Sequence, residues 1–244
     1  WTDYDKSLLS KGGLIASRSD KEIRITPEIQ QLLKIQQEMI APDTLIRAML
    51  KAPVDLLWNG GIGTYVKAES ETHEQVGDRS NNSLRVNGIE LRCKVVGEGG
   101  NLGFTQKGRI EYARFGAEGT GGRINTDAID NSAGVDCSDH EVNIKIALAG
   151  DIARGTLTPA KRDKLLTQMT EEVARLVLKD NILQTQALTI AESQGTSLLE
   201  SQGRLIHSLE KSGLLDRTIE FLPSDKQLGE LKLAKKGLTR PELA

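Results

Sequence analysis

Two short apolar runs, each ending in a glycine-rich bend, constrain this chain more than any other feature. Val54-Asp55-Leu56-Leu57-Trp58 leads into Asn59-Gly60-Gly61-Ile62-Gly63-Thr64, and the run from Leu91 to Val96 leads into Gly97-Glu98-Gly99-Gly100-Asn101. Apolar runs this short, bounded by turn residues, read as buried strands. Glycine after such a strand lets the backbone turn sharply and lets a ligand approach the main chain closely. A third unit passes through Arg109 to Ala113, crosses a loop from Phe115 to Gly122, and reaches Arg123-Ile124-Asn125-Thr126-Asp127, which reads as an edge strand. Strand and loop alternating with helix predict a parallel α/β sheet, and such sheets bind ligands outside the carboxyl ends of their strands. Neither bend is the phosphate-cradling G-x-G-x-x-G, because Leu102 stands where the third glycine is due after Gly97 and Gly99. Taken one at a time, each bend is more often a plain structural turn than a binding loop.

The flanking segments carry helical signals. Lys11-Gly12-Gly13 is a turn, with a strand or extended piece expected at Leu14 to Ala16. Thr26-Pro27-Glu28 reads as the start of a helix carrying Ile29, Leu32, Leu33 and Met39. Asp43 is expected to cap a second helix, with Leu45, Ile46, Met49 and Leu50 on one face and Pro53 as its stop. The polar stretch from Glu69 to Gly88 reads as a surface excursion. Between Asn131 and Gly150 the apolar residues alternate as in a strand, yet Ser138-Asp139-His140-Glu141 matches a capping box, and Asn131 lies two helical turns before Ser138, so helix is preferred. Beyond Gly155 only helical periodicity survives. Thr158-Pro159 opens a long helix with Leu165, Leu166, Met169, Val173, Leu176 and Val177 on one face, followed by stretches carrying Leu198 to Leu209 and a C-terminal cap at Gly213. The fold class expected is α/β: a partial Rossmann-like parallel sheet over 1–154, then an all-helical C-terminal module over 155–244. A chain opening at Trp1 and closing on the helix-starting phrase Thr239-Arg240-Pro241-Glu242 is expected to be a piece of a longer polypeptide.

Composition narrows the function classes. Aromatic residues are 3% of the 244, so the core must be built from Leu, Ile, Val and Ala. Lys and Arg number 32 against 34 Asp and Glu, which leaves no basic footprint for nucleic acid or an anionic membrane surface. No apolar run approaches the roughly 18 residues of a membrane span, and the expected location is cytoplasmic. Cys93 and Cys137 are too few for a disulfide framework. Cys137-x-x-His140, with Cys93 and His73 elsewhere, lacks the second short pair that a structural zinc site uses, so no metal is expected. As nucleophile and base, Cys137 and His140 have no third residue to orient them. Asn101, Asn131 and Ser138 are neutral polar groups suited to orienting an amide or a carboxylate, with turn formation and helix capping as their plainer roles.

Three long phrases shift that balance. Ala52 to Tyr65, Lys94 to Asn101 and Asn125 to Asn143, joined in the tail by Leu178-Lys179-Asp180-Asn181 and Leu215 to Pro223, resemble the large NAD-specific bacterial glutamate dehydrogenases along essentially the whole chain. The resemblance implies the later half of a nucleotide-binding domain plus the start of a helical region, with NAD as cofactor, L-glutamate and 2-oxoglutarate as substrates, and a homo-oligomeric intact enzyme. Val96 to Asn101 is similar to the strand and E-G-A-N loop of the cofactor domain, with Gly100 in place of the Ala. Asn131-Ser132-Ala133-Gly134-Val135 is similar to the family's N-A-G-G-V, departing from it at Ser132 and Ala133. Asn101 and Asn131 are thereby implied at the nicotinamide end of the cofactor, Gly60 and Gly61 where the dinucleotide lies against the sheet, and Ser138 at the side-chain carboxylate of glutamate. The family's catalytic lysine and aspartate belong to an N-terminal substrate domain and its phosphate turn to the early nucleotide domain. Neither is in this chain, which implies that it is inactive alone. A non-redox nucleotide-binding module and a regulatory or oligomerisation module remain the alternatives.

Overall fold

The computed structural model describes residues 3–244, so the expectation resting on Trp1 lies outside the described residues. The amino-terminal part is a small layer of its own. Strand β1 (Ile23–Arg24) pairs antiparallel with β2 (Met39–Ile40), with Ile23 opposite Ile40. Helix α1 (Pro27–Leu33) starts where the Thr26 hydroxyl accepts the Ile29 N–H, and α2 (Pro42–Leu50) follows. Ile23, Ile25, Leu33, Ile40, Leu45 and Ala52 close over one another between these elements. Leu14 to Ala16 forms no strand; the extended pairing of this region falls instead on Ile23, which has an apolar layer to enter. Ala41, not Asp43, is the cap of α2, because Pro42 takes the first helical position and leaves Asp43 inside the first turn.

The central layer is the parallel pair β3 (Leu56–Asn59) and β6 (Val95–Glu98), in register from Leu56 opposite Val95 to Asn59 opposite Glu98. A parallel bridge from Val95 to Arg123 adds a third extended segment beside β6. A second parallel pair, β4 (Val66–Lys67) and β5 (Val86–Asn87), touches the first layer through Val66 and Phe104. Val66, Val86, Leu91, Cys93, Val96, Phe104, Tyr112 and Ile124 form the main core. Tyr112, on α4 (Gln106–Phe115), donates its hydroxyl to the Cys93 carbonyl at 3.0 Å, and burial pushes both the phenol and the Cys93 thiol above their ordinary pKa ranges.

The structure corrects three expectations here. The second strand begins at Val95, four residues later than Leu91, and includes Gly97 and Glu98. Leu91 and Cys93 are buried by the core, while pairing with β3 starts only where the N–H groups of Lys94 and Val95 reach the carbonyls of Val54 and Asp55. The edge strand expected over Arg123–Asp127 reduces to its first residue, because Thr126 starts the short helix α5 (Asp127–Asp130). The excursion from Glu69 to Gly88 starts with α3 (His73–Val76) but ends in fully buried Leu84, Arg85 and Val86. The Arg85 guanidinium is satisfied by the carbonyls of Thr64 and Asp78 and by the Asn82 side chain.

From Asp127 onward the described chain forms helices joined by turns and loops, with no strand. Helix α6 (Ser132–Ala153) and α7 (Pro159–Gln194) form a hairpin whose turn contains Gly155 at φ +73°, and the Thr158 hydroxyl caps α7. Ser138 to Glu141 therefore lies inside α6 and caps nothing. Helices α8 (Leu199–Lys211), α9 (Asp225–Leu233) and α10 (Arg240–Leu243) gather around Leu199, Leu228 and Leu238. The molecule is α/β, a small parallel sheet followed by a helical region. No helix among the described residues is long and apolar enough to cross a membrane.

Candidate functional site

The carboxyl ends of β3 and β6 bring the two glycine-rich bends together. Trp58 sits opposite Gly97 and lays its indole over the neighbouring strand: a Cβ on Gly97 would stand 2.7 Å from the ring, and one on Gly99 would overlap it. A Cβ on Gly100 would stand 2.9 Å from the carbonyl oxygen of Gly61, so the bends carrying Gly60–Gly61 and Gly99–Asn101 are in direct contact. Asn131, in the turn between α5 and α6, donates from Nδ2 to the Oδ1 of Asn101 at 2.8 Å. Gly60, Gly61, Asn101 and Asn131 thus lie at one end of the sheet. Ser138 is two turns further along α6, exposed and without a hydrogen-bond partner for its hydroxyl among the described residues. Asn59, the last residue of β3, has its Nδ2 buried against Gly103 with no hydrogen-bond partner.

The second bend is held by charged groups that sequence reasoning missed. Leu102 adopts φ +57°, a strained conformation for a branched side chain, and its N–H is tied to Asp127 Oδ2 at 2.8 Å. Asp130 Oδ2 accepts the N–H of Glu98 at 3.0 Å. The Glu98 carboxylate, fully buried, accepts from Phe104 N–H at 3.1 Å and from Arg109 Nε and Nη2 at 2.7 and 3.0 Å. Arg109 Nη2 also reaches Asp127 at 3.0 Å. Burial pushes the Glu98 carboxyl upward while Arg109 pulls against it. Two carboxylates one turn apart in α5 thus take the N–H groups on either side of Gly99-Gly100-Asn101. The signal for this was present in the sequence as Asp127-x-x-Asp130 behind a Thr, but its partners lie 25 and 32 residues away.

Chemically, this end of the sheet offers side-chain amides and open main chain rather than a nucleophile and base. A Cβ on Gly61 would meet nothing within 4 Å, which leaves the bend free for close approach by a flat or extended ligand. Asn101 and Asn131 are neutral donors and acceptors suited to a carboxamide and sugar hydroxyls. These residues fit the uncharged end of a dinucleotide. Cys137 is exposed, and His140 turns its Nδ1 to the Asp136 carbonyl at 2.9 Å, away from any pairing with it. Both cysteines are free, and among the described residues no three His, Cys, Asp or Glu side chains group as a metal site.

The family model described as "Bacterial NAD-glutamate dehydrogenase, catalytic domain" matches residues 1–191. The chain belongs to this family. Among curated relatives, each bearing the name NAD-specific glutamate dehydrogenase, the protein of Pseudomonas aeruginosa is 55% identical, that of Halomonas elongata 52% and that of Mycobacterium tuberculosis 49%. Each match takes in this whole chain, which spans about 15% of the relative's length. In the family member described here, Asn101 and Asn131 touch although 30 residues separate them.

Proposed function

We propose that this chain is one wall of the hydride-transfer pocket of an NAD-dependent glutamate dehydrogenase, which converts L-glutamate to 2-oxoglutarate and ammonium. The observation that carries this reading is the hydrogen bond between Asn101 and Asn131 at the carboxyl ends of two parallel strands, beside the open main chain of Gly61. In this reading Gly60 and Gly61 bear the dinucleotide, Asn101 and Asn131 orient its carboxamide, and Ser138 binds the distal carboxylate of glutamate from α6. When bound, NAD supplies the acceptor for the hydride of the glutamate α-carbon. The chain's own contribution is orientation, since hydride transfer tolerates little misplacement. Proton transfer is assigned to lysine and aspartate side chains outside these residues. The protein is read as cytoplasmic and its intact form as a homo-oligomer. Residues 1–154 are read as the later part of the nucleotide-binding domain and 155–244 as a helical C-terminal module.

The test is glutamate-dependent formation of NADH. The intact protein is expected to turn over, and Asn131→Ala to lower kcat/KM for NAD about a hundredfold. The chain 1–244 alone is expected to show no turnover. Measurable turnover by the isolated chain would overturn the assignment of proton transfer to residues outside it.

A further inference from the structure

The carboxyl-terminal turn of the helical region reaches the cofactor-side bend through a continuous hydrogen-bonded line. Arg240, at the start of α10, is largely buried and donates from Nε to Asn125 Oδ1 at 2.8 Å. An amide whose oxygen is committed to a guanidinium must present its nitrogen on the other side. Asn125 Nδ2 accordingly donates to Asp130 Oδ1 at 2.7 Å. The second oxygen of Asp130 holds the N–H of Glu98, the last strand residue before Gly99-Gly100-Asn101. The other arm of Arg240 is anchored on α7, through Glu192 at 3.0 Å and Thr189 at 3.1 Å. The turn bearing Arg240 is itself clamped onto α4, where Arg114 grips the nearly buried Glu242 at 2.8 and 3.0 Å and Gln106 donates to the Pro241 carbonyl at 2.7 Å. Arg240 is thus held from two sides with its guanidinium presented to Asn125.

We infer that Arg240 and Asn125 are positioning residues: they orient Asp130 and so fix the bend that presents Asn101, which makes the carboxyl-terminal turn part of the cofactor site's support. This rests on the dehydrogenase reading only for its kinetic consequence. A guanidinium serves the role because one planar fork reaches Asn125 and α7 at once, whereas a lysine ammonium is a single point charge.

The experiment uses the intact dehydrogenase with Arg240→Met, Asn125→Ala, the pair together, and Glu192→Gln as a control that loosens only the α7 anchor. In the NAD-free protein, Arg240→Met and Asn125→Ala are each expected to speed amide exchange across residues 96–102 by roughly tenfold, and Glu192→Gln to leave it within about twofold of the parent. In turnover, each single variant is expected to raise KM for NAD roughly tenfold with KM for glutamate unchanged, and the double variant to be no worse than either single one. If Arg240→Met fails to fold, Asn125→Ala decides alone. Unchanged exchange at 96–102, or additive effects in the double variant, overturns the inference. A parent protein without glutamate-dependent NADH formation sinks the dehydrogenase reading instead, and exchange in the NAD-free variants still decides the relay.

Discussion

The bend after β6 and the hairpin of α6 and α7 are neighbours with opposite construction. Around the bend, Glu98 and Arg109 are buried, Asp127 and Asp130 each take a main-chain N–H, and Phe104 closes over the strand. In α6 none of its 22 residues is buried, and Val135, Val142 and Ile146 stand exposed along it. In α7 only Val177 and Leu188 of 36 residues are buried. One region is over-determined by groups within this chain. The other is a helix pair whose apolar side chains face solvent. Asn131 sits on the seam: its amide contacts the rigid bend while its backbone starts the exposed helix. Geometry at the sheet end is therefore set from below by packing and charge, and from above only by a hairpin with little burial.

The largest effect that can break this comparison is removal of a buried charge. Glu98→Ala strands the Arg109 guanidinium, 5% exposed, with Asp127 as its only remaining carboxylate. Denaturant titration of the chain should show a loss of about 3–5 kcal/mol; a loss below about 1 kcal/mol would mean that the bend is not rigid. Next comes Leu91→Ala in the fully buried core, expected to cost about 3 kcal/mol by the same titration. In the helical region, Thr158→Ala removes the hydroxyl that accepts the Lys161 N–H and should cost about 1 kcal/mol in thermal unfolding.

Acid offers a similarly small effect with a definite sign. The Asp78 carboxyl is held below its ordinary range, first by the side-chain amide of Asn81 and then by the N–H of Thr64. Its folded pKa is depressed, so its contribution is present above the unfolded carboxylate pKa and is lost as pH falls through the folded one. Stability of Asp78→Ala should therefore trail the parent by about 1 kcal/mol at neutral pH and converge with it in acid. A gap that stays constant with pH would remove the charge from the explanation.

How much of this was legible in the residues differs by region for physical reasons. Parallel pairing with bends at the carboxyl ends followed from two apolar runs and their glycines, because burial and backbone freedom are local properties. Helix over strand for Asn131–Gly150 was also legible, through the two-turn spacing on one helical face. The start of β6 was not, since Leu91 and Cys93 are apolar for the core's sake and apolarity does not say which neighbour buries a side chain. Asp127 read as the end of an edge strand and Asp130 as no more than part of a family phrase, because their partners are backbone N–H groups of a distant loop. Arg240 is farther still: its bond to Asn125 closes over 115 residues, and in sequence it was merely part of a helix-starting phrase. Gly60, Gly61, Asn101, Asn131 and Ser138 stood out locally only as glycines of a bend and as neutral polar groups; the roles proposed for them came from family resemblance.

The smallest expected effect sharpens the comparison most. Ile146 is 66% exposed on α6, and Ile and Ser have similar helix propensities, so Ile146→Ser changes little except apolar surface. If the hairpin face is open to water in the isolated chain, the substitution should move stability by no more than about 0.5 kcal/mol in either direction. Val96→Ser, a comparable change at a residue buried in the main core, should by contrast cost several times that. A large loss for Ile146→Ser would show that the face is covered in solution. Because the described residues leave Ile146 mostly exposed, the cover would be a second copy, and the loss would then grow with protein concentration. A small, concentration-independent effect keeps the contrast as drawn: a bend fixed by its own chain, beside a helix that this chain leaves bare.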